Sequence, residues 1–172
     1  MNNYREISPE ELSCSPVKLI GKDWLLITAT DATKTCGANA MTASWGAMGV
    51  LWNKSVCICF VRPQRHTHKL LCEQNRFSIA FMSEEYRDAL RLCGRESGRD
   101  IDKIRTSGLS ATKLDGVPVI NEADTLLICK KLYEDELREG CFIEPSVMET
   151  YRAKNDYHTF YVCEIEAAYK RI

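Results

Sequence analysis

NAMTASWGAMGVLW, residues 39–52, is the stretch on which the reading of this chain turns. It contains no Lys, Arg, Asp or Glu, and it follows a loop of small and polar residues (33–37). A strand that only fills a core is usually rich in Val, Ile and aromatics. This one instead sets short polar groups (Asn39, Thr42, Ser44) among small side chains (Ala40, Ala43, Gly46, Ala47). Small side chains let a ligand approach the main chain. The stretch therefore reads as a backbone-lined shelf for a polar ligand edge, with Met41, Trp45 and Met48 available for packing. The same composition also suits a strand at which two backbones pack closely. Both readings stand at this point.

Outward from the shelf, the chain reads as mainly β. Residues 17–20 and 24–30 (WLLITAT) suggest strands around a turn at 21–23, the second buried on both faces. The shelf itself reads as two strands, 39–45 and 48–52, bent at Gly46 or Gly49. Asn53-Lys54 turns the chain into SVCICFV (55–61), where Cys57 and Cys59 face one side and Ile58 and Phe60 the other. Pro63 ends that strand. Thr67 is expected to cap a short helix to about residue 75. RFSIAFM (76–82) is another strand, and Ser83 precedes a helix with Tyr86, Ala89, Leu90 and Cys93 on one face. Ser97-Gly98-Arg99-Asp100 has the form of a capping box for a helix ending at Gly108. Asp115-Gly116 reads as a hairpin turn between 112–114 and 117–120. Residues 126–132 and 159–169 are the last strands. Residues 134–142 look peripheral, and 145–151 fit a helix of one or two turns. Strands that do not alternate with long helices favour a closed antiparallel barrel over a doubly wound sheet.

Bulk properties narrow the function. The 172 residues suit one domain, 1–172. A net charge of −1 makes no case for nucleic acid or an anionic membrane. The charge-free stretch 35–53 is broken by glycines and polar residues and is no membrane span. No apolar secretory region opens the chain, so the cytoplasm is the expected location. Nine cysteines without a CxxC pair, beside three histidines, read as reduced, buried apolar residues with no metal site.

Three polar clusters carry the chemistry. Asn39, Thr42 and Ser44 form the first. Arg62, Gln64, Arg65 and Thr67 form the second, with guanidiniums, a hydroxyl and helix-start amides suited to a phosphate; paired with nearby acids, the arginines would be merely structural. Ser97, Gly98, Arg99 and Asp100 with Lys103 form the third, a phosphate-side loop or an ordinary cap. No GxSxG, HExxH or P-loop is present. His66 and His68 read as surface residues. His158, just before the last strand, reads as structural or as facing a pocket.

Taken in order, the NxMTxSW strand, the strand-ending RPQRxT and the SGRDxDK loop resemble the flavin reductase-like family, the FMN-binding split barrels that include flavoredoxins. The resemblance runs from about residue 24 to 165. It departs at Cys163, where many members carry Gly, and at Ser55, where Pro is common. It implies a six-stranded antiparallel split β-barrel with short peripheral helices, and a homodimer with FMN near the subunit interface. It implies that Asn39, Ala40, Met41, Thr42, Ala43 and Ser44 meet the flavin, with Trp45 beside them. Arg62, Arg65 and Thr67 would hold the phosphate, Val61 and Pro63 would also belong to the cofactor-binding set, and Ser97, Gly98, Arg99, Asp100 and Lys103 would close over the cofactor. His158 would lie near flavin or nicotinamide. The implied activity passes hydride from NAD(P)H to flavin and electrons on to a flavin or a redox protein. Because the flavin carries that chemistry, no side chain need be nucleophile or base. The alternatives are an electron carrier of flavoredoxin type, a barrel for a non-flavin ligand, and a thiol sensor centred on Cys93.

Overall fold

The structure is a computed structural model and describes residues 3–152 and 155–172. The chain opens with β1 (Tyr4–Ile7) and α1 (Pro16–Lys18), which runs on into a wide helical turn over Leu19–Asp23. Strands β2 (Leu25–Thr30), β3 (Ala38–Ala43), β4 (Gly46–Leu51) and β5 (Lys54–Val61) follow. Next come α2 (His66–Cys72), β6 (Arg76–Phe81), α3 (Arg87–Arg95) and α4 (Lys103–Thr106). The hairpin β7 (Ala111–Leu114) and β8 (Val117–Ile120), then β9 (Thr125–Glu136), α5 (Pro145–Arg152) and β10 (Thr159–Arg171), complete the chain.

The main sheet is antiparallel, in the order β3-β2-β6-β9-β10-β5-β4, and β1 pairs with β10. Long β10 serves two partners along one edge: β5 takes its first half, from Thr159 to Glu164, and β1 its last residues, from Ala168 to Arg171. The two end strands of the path, β3 and β4, are consecutive in the chain and joined by Ser44 and Trp45 alone. Three Cα–Cα steps reach at most about 11 Å, so the sheet must curl until its ends meet at that corner. The expected mainly β, antiparallel class with short helices is the one observed.

Why these segments are strands follows from which faces they bury. On β2, Leu25, Ile27 and Ala29 face the inside of the curl, while Leu26 faces out into a second apolar layer. β6 and β9 divide in the same way, with Phe77, Ile79, Leu127 and Cys129 inside and Ala80, Leu126 and Ile128 outside. Helix α3 and strand β8 cover that outer face through Leu90, Cys93, Val119 and Ile120. The Ser78 hydroxyl pins the hairpin by donating to Pro118 O at 2.6 Å. Five of the nine cysteines are buried, and Cys57 Sγ lies 3.4 Å from Cys129 Sγ with both thiols free.

Several expectations need correction. Residues 17–20 are helical, because Pro16 sits in the first turn and the Ser15 hydroxyl accepts from Lys18 N. The shelf breaks at Ser44-Trp45 rather than at a glycine. Ten strands are formed among the described residues; short β1 was not foreseen and is held by β10, and β9 runs further than expected, through Glu136. Among the described residues no helix is long and apolar enough to cross a membrane.

One buried group in β2 lacks what burial requires. Thr28 is fully buried, and its hydroxyl has no hydrogen-bond partner among the described residues. A buried hydroxyl left unpaired costs stability. Thr28→Val keeps the shape and removes the orphan, so it should stabilise the fold by about 1 kcal/mol, read as a higher urea midpoint at unchanged slope.

Candidate functional site

The first two polar clusters, far apart in the chain, both reach the corner where β3 gives way to β4, and the third packs on Asn39 at the other end of β3. A cleft of about 260 Å³ opens at the corner, lined by Met41, Thr42, Ala43, Ser44, Trp45, Phe60, Arg62, Arg65 and His158. β3 is an end strand, so alternate residues turn their N–H and C=O groups away from β2. Met41 and Ala43 send their side chains into the core. Ala40 packs into the outer layer, and the Thr42 hydroxyl donates to Leu90 O at 2.5 Å. What β3 offers a ligand is therefore mostly main chain.

The strand-end cluster frames one side. Arg62 Nη1 pairs with Asp156 Oδ2 at 2.7 Å. Arg65 donates to Gly94 O at 2.5 Å and Cys93 O at 2.9 Å, which satisfies carbonyls in the last turn of α3. Thr67 does not cap α2. Arg65 holds the cap position, and Thr67 lies inside the helix, fully buried, accepting from Asn39 Nδ2 at 2.8 Å. The structural reading of the arginines and the ligand reading thus coexist: each is anchored, and each still lines the cleft. Val61 is a core residue and Pro63 is exposed, so neither brings a side chain to the cleft.

The third cluster is a turn and not a capping box. Ser97 O accepts from Asp100 N, and Ser97 Oγ accepts from Arg99 N. The true cap is Asp102, whose carboxylate accepts from Arg105 N at 3.2 Å ahead of the four-residue α4. Asp100 is exposed, and Arg99 reaches across to Gln64 O at 2.9 Å. Gly98 is wedged against the shelf. A Cβ there would stand 2.1 Å from Asn39 Oδ1 and 2.9 Å from His66 Cδ2. Lys103 is buried with its amine 3.3 Å from Cys93 O.

The flavin reductase like domain pattern matches residues 19–171. This chain belongs to the flavin reductase-like family. Among solved structures, flavoredoxin from Methanosarcina acetivorans is similar at TM-score 0.65 and 23% identity, covering 86% of this chain and 68% of that one. The FMN-binding domain of a flavin reductases-like enzyme from Shewanella baltica OS155 gives 0.66 at 14% identity, over 98% and 77%. An NADH:FAD oxidoreductase from Streptomyces globisporus C-1027 gives 0.63 at 16%, over 87% and 78%. At such identities the likeness is one of fold. No curated protein matches the chain.

In this flavin reductase-like chain the electrostatics are set mainly by burial. Burial, with Arg65 beside it, pulls Lys103 down to about 8. Burial pushes the Cys93 thiol up, which removes the exposed thiolate a redox sensor at that position would need. His66 and His68 are half-buried and hydrogen-bonded rather than free on the surface. His66 Nε2 lies 2.8 Å from Asp31 Oδ2, and His68 Nε2 lies 2.9 Å from Thr159 Oγ1. Burial raises the Asp31 carboxyl, but the Thr33 hydroxyl and His66 outweigh it and leave the pKa lowered. Asp31, His66, Phe60, Asp156 and Tyr151 are the contributors that sequence reasoning missed. They sit on separate elements, and no spacing in the chain links them.

His158 is buried. Its Nδ1 lies 3.0 Å from the Tyr151 hydroxyl and its ring 4.8 Å from that of Trp45. Burial, helped by Arg62, lowers its pKa to about 4. An unfolded histidine takes its proton near pH 6.5. Between about pH 6.5 and 4 the unfolded chain therefore binds more protons here, and stability falls as pH falls through that window. His158→Gln should flatten that part of the profile, measured as urea midpoint against pH for variant and parent.

Proposed function

We propose that this chain is an FMN-binding oxidoreductase that accepts hydride from NAD(P)H and hands electrons on to a flavin or a redox protein. One observation carries the reading. Four buried side-chain polar atoms lack partners among the described residues, and three of them (Asn39 Oδ1, His66 Nδ1 and Asp156 Oδ1) belong to residues that do not line the cleft but stand behind it, Asp156 on Arg62 and Asn39 and His66 beside the 97–100 turn. Buried polar groups are normally paired. The cleft itself is lined by two guanidiniums and by the outward main chain of the end strand β3, which suits a ligand that brings a negative charge and its own hydrogen-bonding groups.

FMN fits that description. Its phosphate suits Arg62 and Arg65, where charge-assisted donors are strongest. Its flat ring suits the small-residue strand β3, and its polar ring edge suits the outward main-chain groups. Trp45 and His158 would flank it, and a His158 that is neutral above about pH 4 adds no charge there. Gly98 lets the 97–100 turn close on Asn39. When bound, the flavin supplies the hydride and electron chemistry, and the protein orients it and keeps water off. Exposed Val50, Leu51 and Trp52 on the β4–β5 hairpin support a second copy as partner. Nine free cysteines support a reducing compartment, the cytoplasm.

The test is a visible spectrum of desalted protein before and after anaerobic NADH or NADPH. A flavin spectrum that bleaches is the expected result. A flavin that stays oxidised moves the protein to an electron carrier reduced by another protein. A colourless protein that takes up no added FMN overturns the proposal.

A further inference from the structure

A second cavity of about 480 Å³ adjoins the cleft and shares Trp45 and Phe60 with it. Its remaining wall comes from α5 and the segment before it, chiefly Phe142, Val147, Thr150 and Tyr151. None of the lining residues carries a charge. The walls are aromatic and mutually braced. Phe142 and Tyr151 have ring centroids 5.4 Å apart, Tyr151 stacks on Tyr157 at 5.2 Å, and Tyr151 meets His158 edge-on at 5.6 Å. Val147 remains half exposed.

We infer that this cavity is a binding site for a neutral aromatic molecule of one or two rings bearing a hydrogen-bonding group. Volume, composition and charge converge on that class. Cavities of this size and apolar character hold small organic ligands. Aromatic walls favour a flat ring by stacked and edge-on contacts. An uncharged lining gives an anionic ligand no counter-charge and would strip its hydration. A phosphorylated or carboxylated molecule belongs with the guanidiniums on the other side of Trp45. The Thr150 hydroxyl offers the polar contact. The Ser146 hydroxyl already donates to Glu144 at 2.8 Å, and the Tyr151 hydroxyl is held by His158. Because Trp45 and Phe60 belong to both cavities, a ring bound here lies one side chain away from whatever fills the cleft. The inference rests on the cavity's own walls and holds whether or not the cleft takes FMN.

The test is calorimetric titration of the full chain with 2-naphthol, and with 2-naphthalenesulfonate as its anionic counterpart, each with and without FMN. Saturable 2-naphthol binding at one site per chain is expected, with the sulfonate at least about tenfold weaker. Val147→Asp places a carboxylate at the half-exposed mouth and should weaken 2-naphthol about tenfold or more. Its far-ultraviolet dichroism, melting temperature and FMN uptake should match the parent. Thr150→Val, a shape-preserving change, should weaken binding by a fewfold. Absence of saturable binding, equal affinity for the sulfonate, or indifference to Val147→Asp would each overturn the inference. So would sedimentation in which Val147→Asp splits a dimer of a parent that binds no naphthol, since a second copy would then be the occupant. FMN uptake, scored separately, reports on the cleft alone.

Discussion

Gly98→Ala is expected to weaken FMN binding by about 10- to 100-fold while leaving the sheet folded. The added Cβ would stand 2.1 Å from Asn39 Oδ1, 2.9 Å from Asn39 Cγ and 2.9 Å from His66 Cδ2. None of these neighbours yields easily. Asn39 is tied to Thr67, and His66 is tied to Asp31. The 97–100 turn must therefore lift off the shelf, and forced displacements of this kind cost about 1–3 kcal/mol, or about one to two powers of ten in affinity. Gly140→Ala is the control, since a Cβ there meets nothing within 4 Å. Fluorescence titration of FMN against both variants decides the point. Parental affinity in Gly98→Ala would show that the turn takes no part in closing the site.

Arg65→Met has the second large effect, and it discriminates between ligands. The substitution keeps an apolar stem and deletes the charge. A hydrogen bond to a charged group contributes about 1.5–3 kcal/mol, so FMN affinity should fall about 10- to 100-fold. Riboflavin, which lacks the phosphate, should change by no more than a fewfold. The variant also frees the carbonyls of Cys93 and Gly94 that Arg65 now satisfies. The end of α3 should fray, and the urea midpoint should drop modestly. Equal losses for FMN and riboflavin would mean that Arg65 acts by holding α3 and not by meeting phosphate.

The residues that the chain spells out locally were legible without a structure. β2, β6 and the hairpin around Asp115-Gly116 follow from apolar runs and turn chemistry; Asp115 and Gly116 both adopt the left-handed backbone that such a turn needs. The small-residue shelf was visible because so few apolar branched residues sit in 39–47. Errors fell where a local rule met a distant partner. Thr67 looks like a cap, but Asn39, 28 positions away, takes its hydroxyl into the interior. Ser97 looks like a cap, but the turn uses its hydroxyl, and Asp102 caps α4 instead. Residues 4–7 sit in a mostly polar opening segment that gives no long strand pattern, yet β10 outlasts β5 and recruits them along its free edge.

By itself the sequence determined the strand-rich class, the family and the three polar clusters, because each is written in residues that are neighbours in the chain. Only the tertiary structure decided what those clusters do to one another. It curled the sheet so that β3 and β4 meet at Ser44-Trp45, buried His66 on Asp31 and set Gly98 under Asn39. It also walled a second, uncharged cavity with α5. These contacts join residues dozens of positions apart. Their energies come from burial and from pairing groups that water no longer reaches, and a local pattern carries neither.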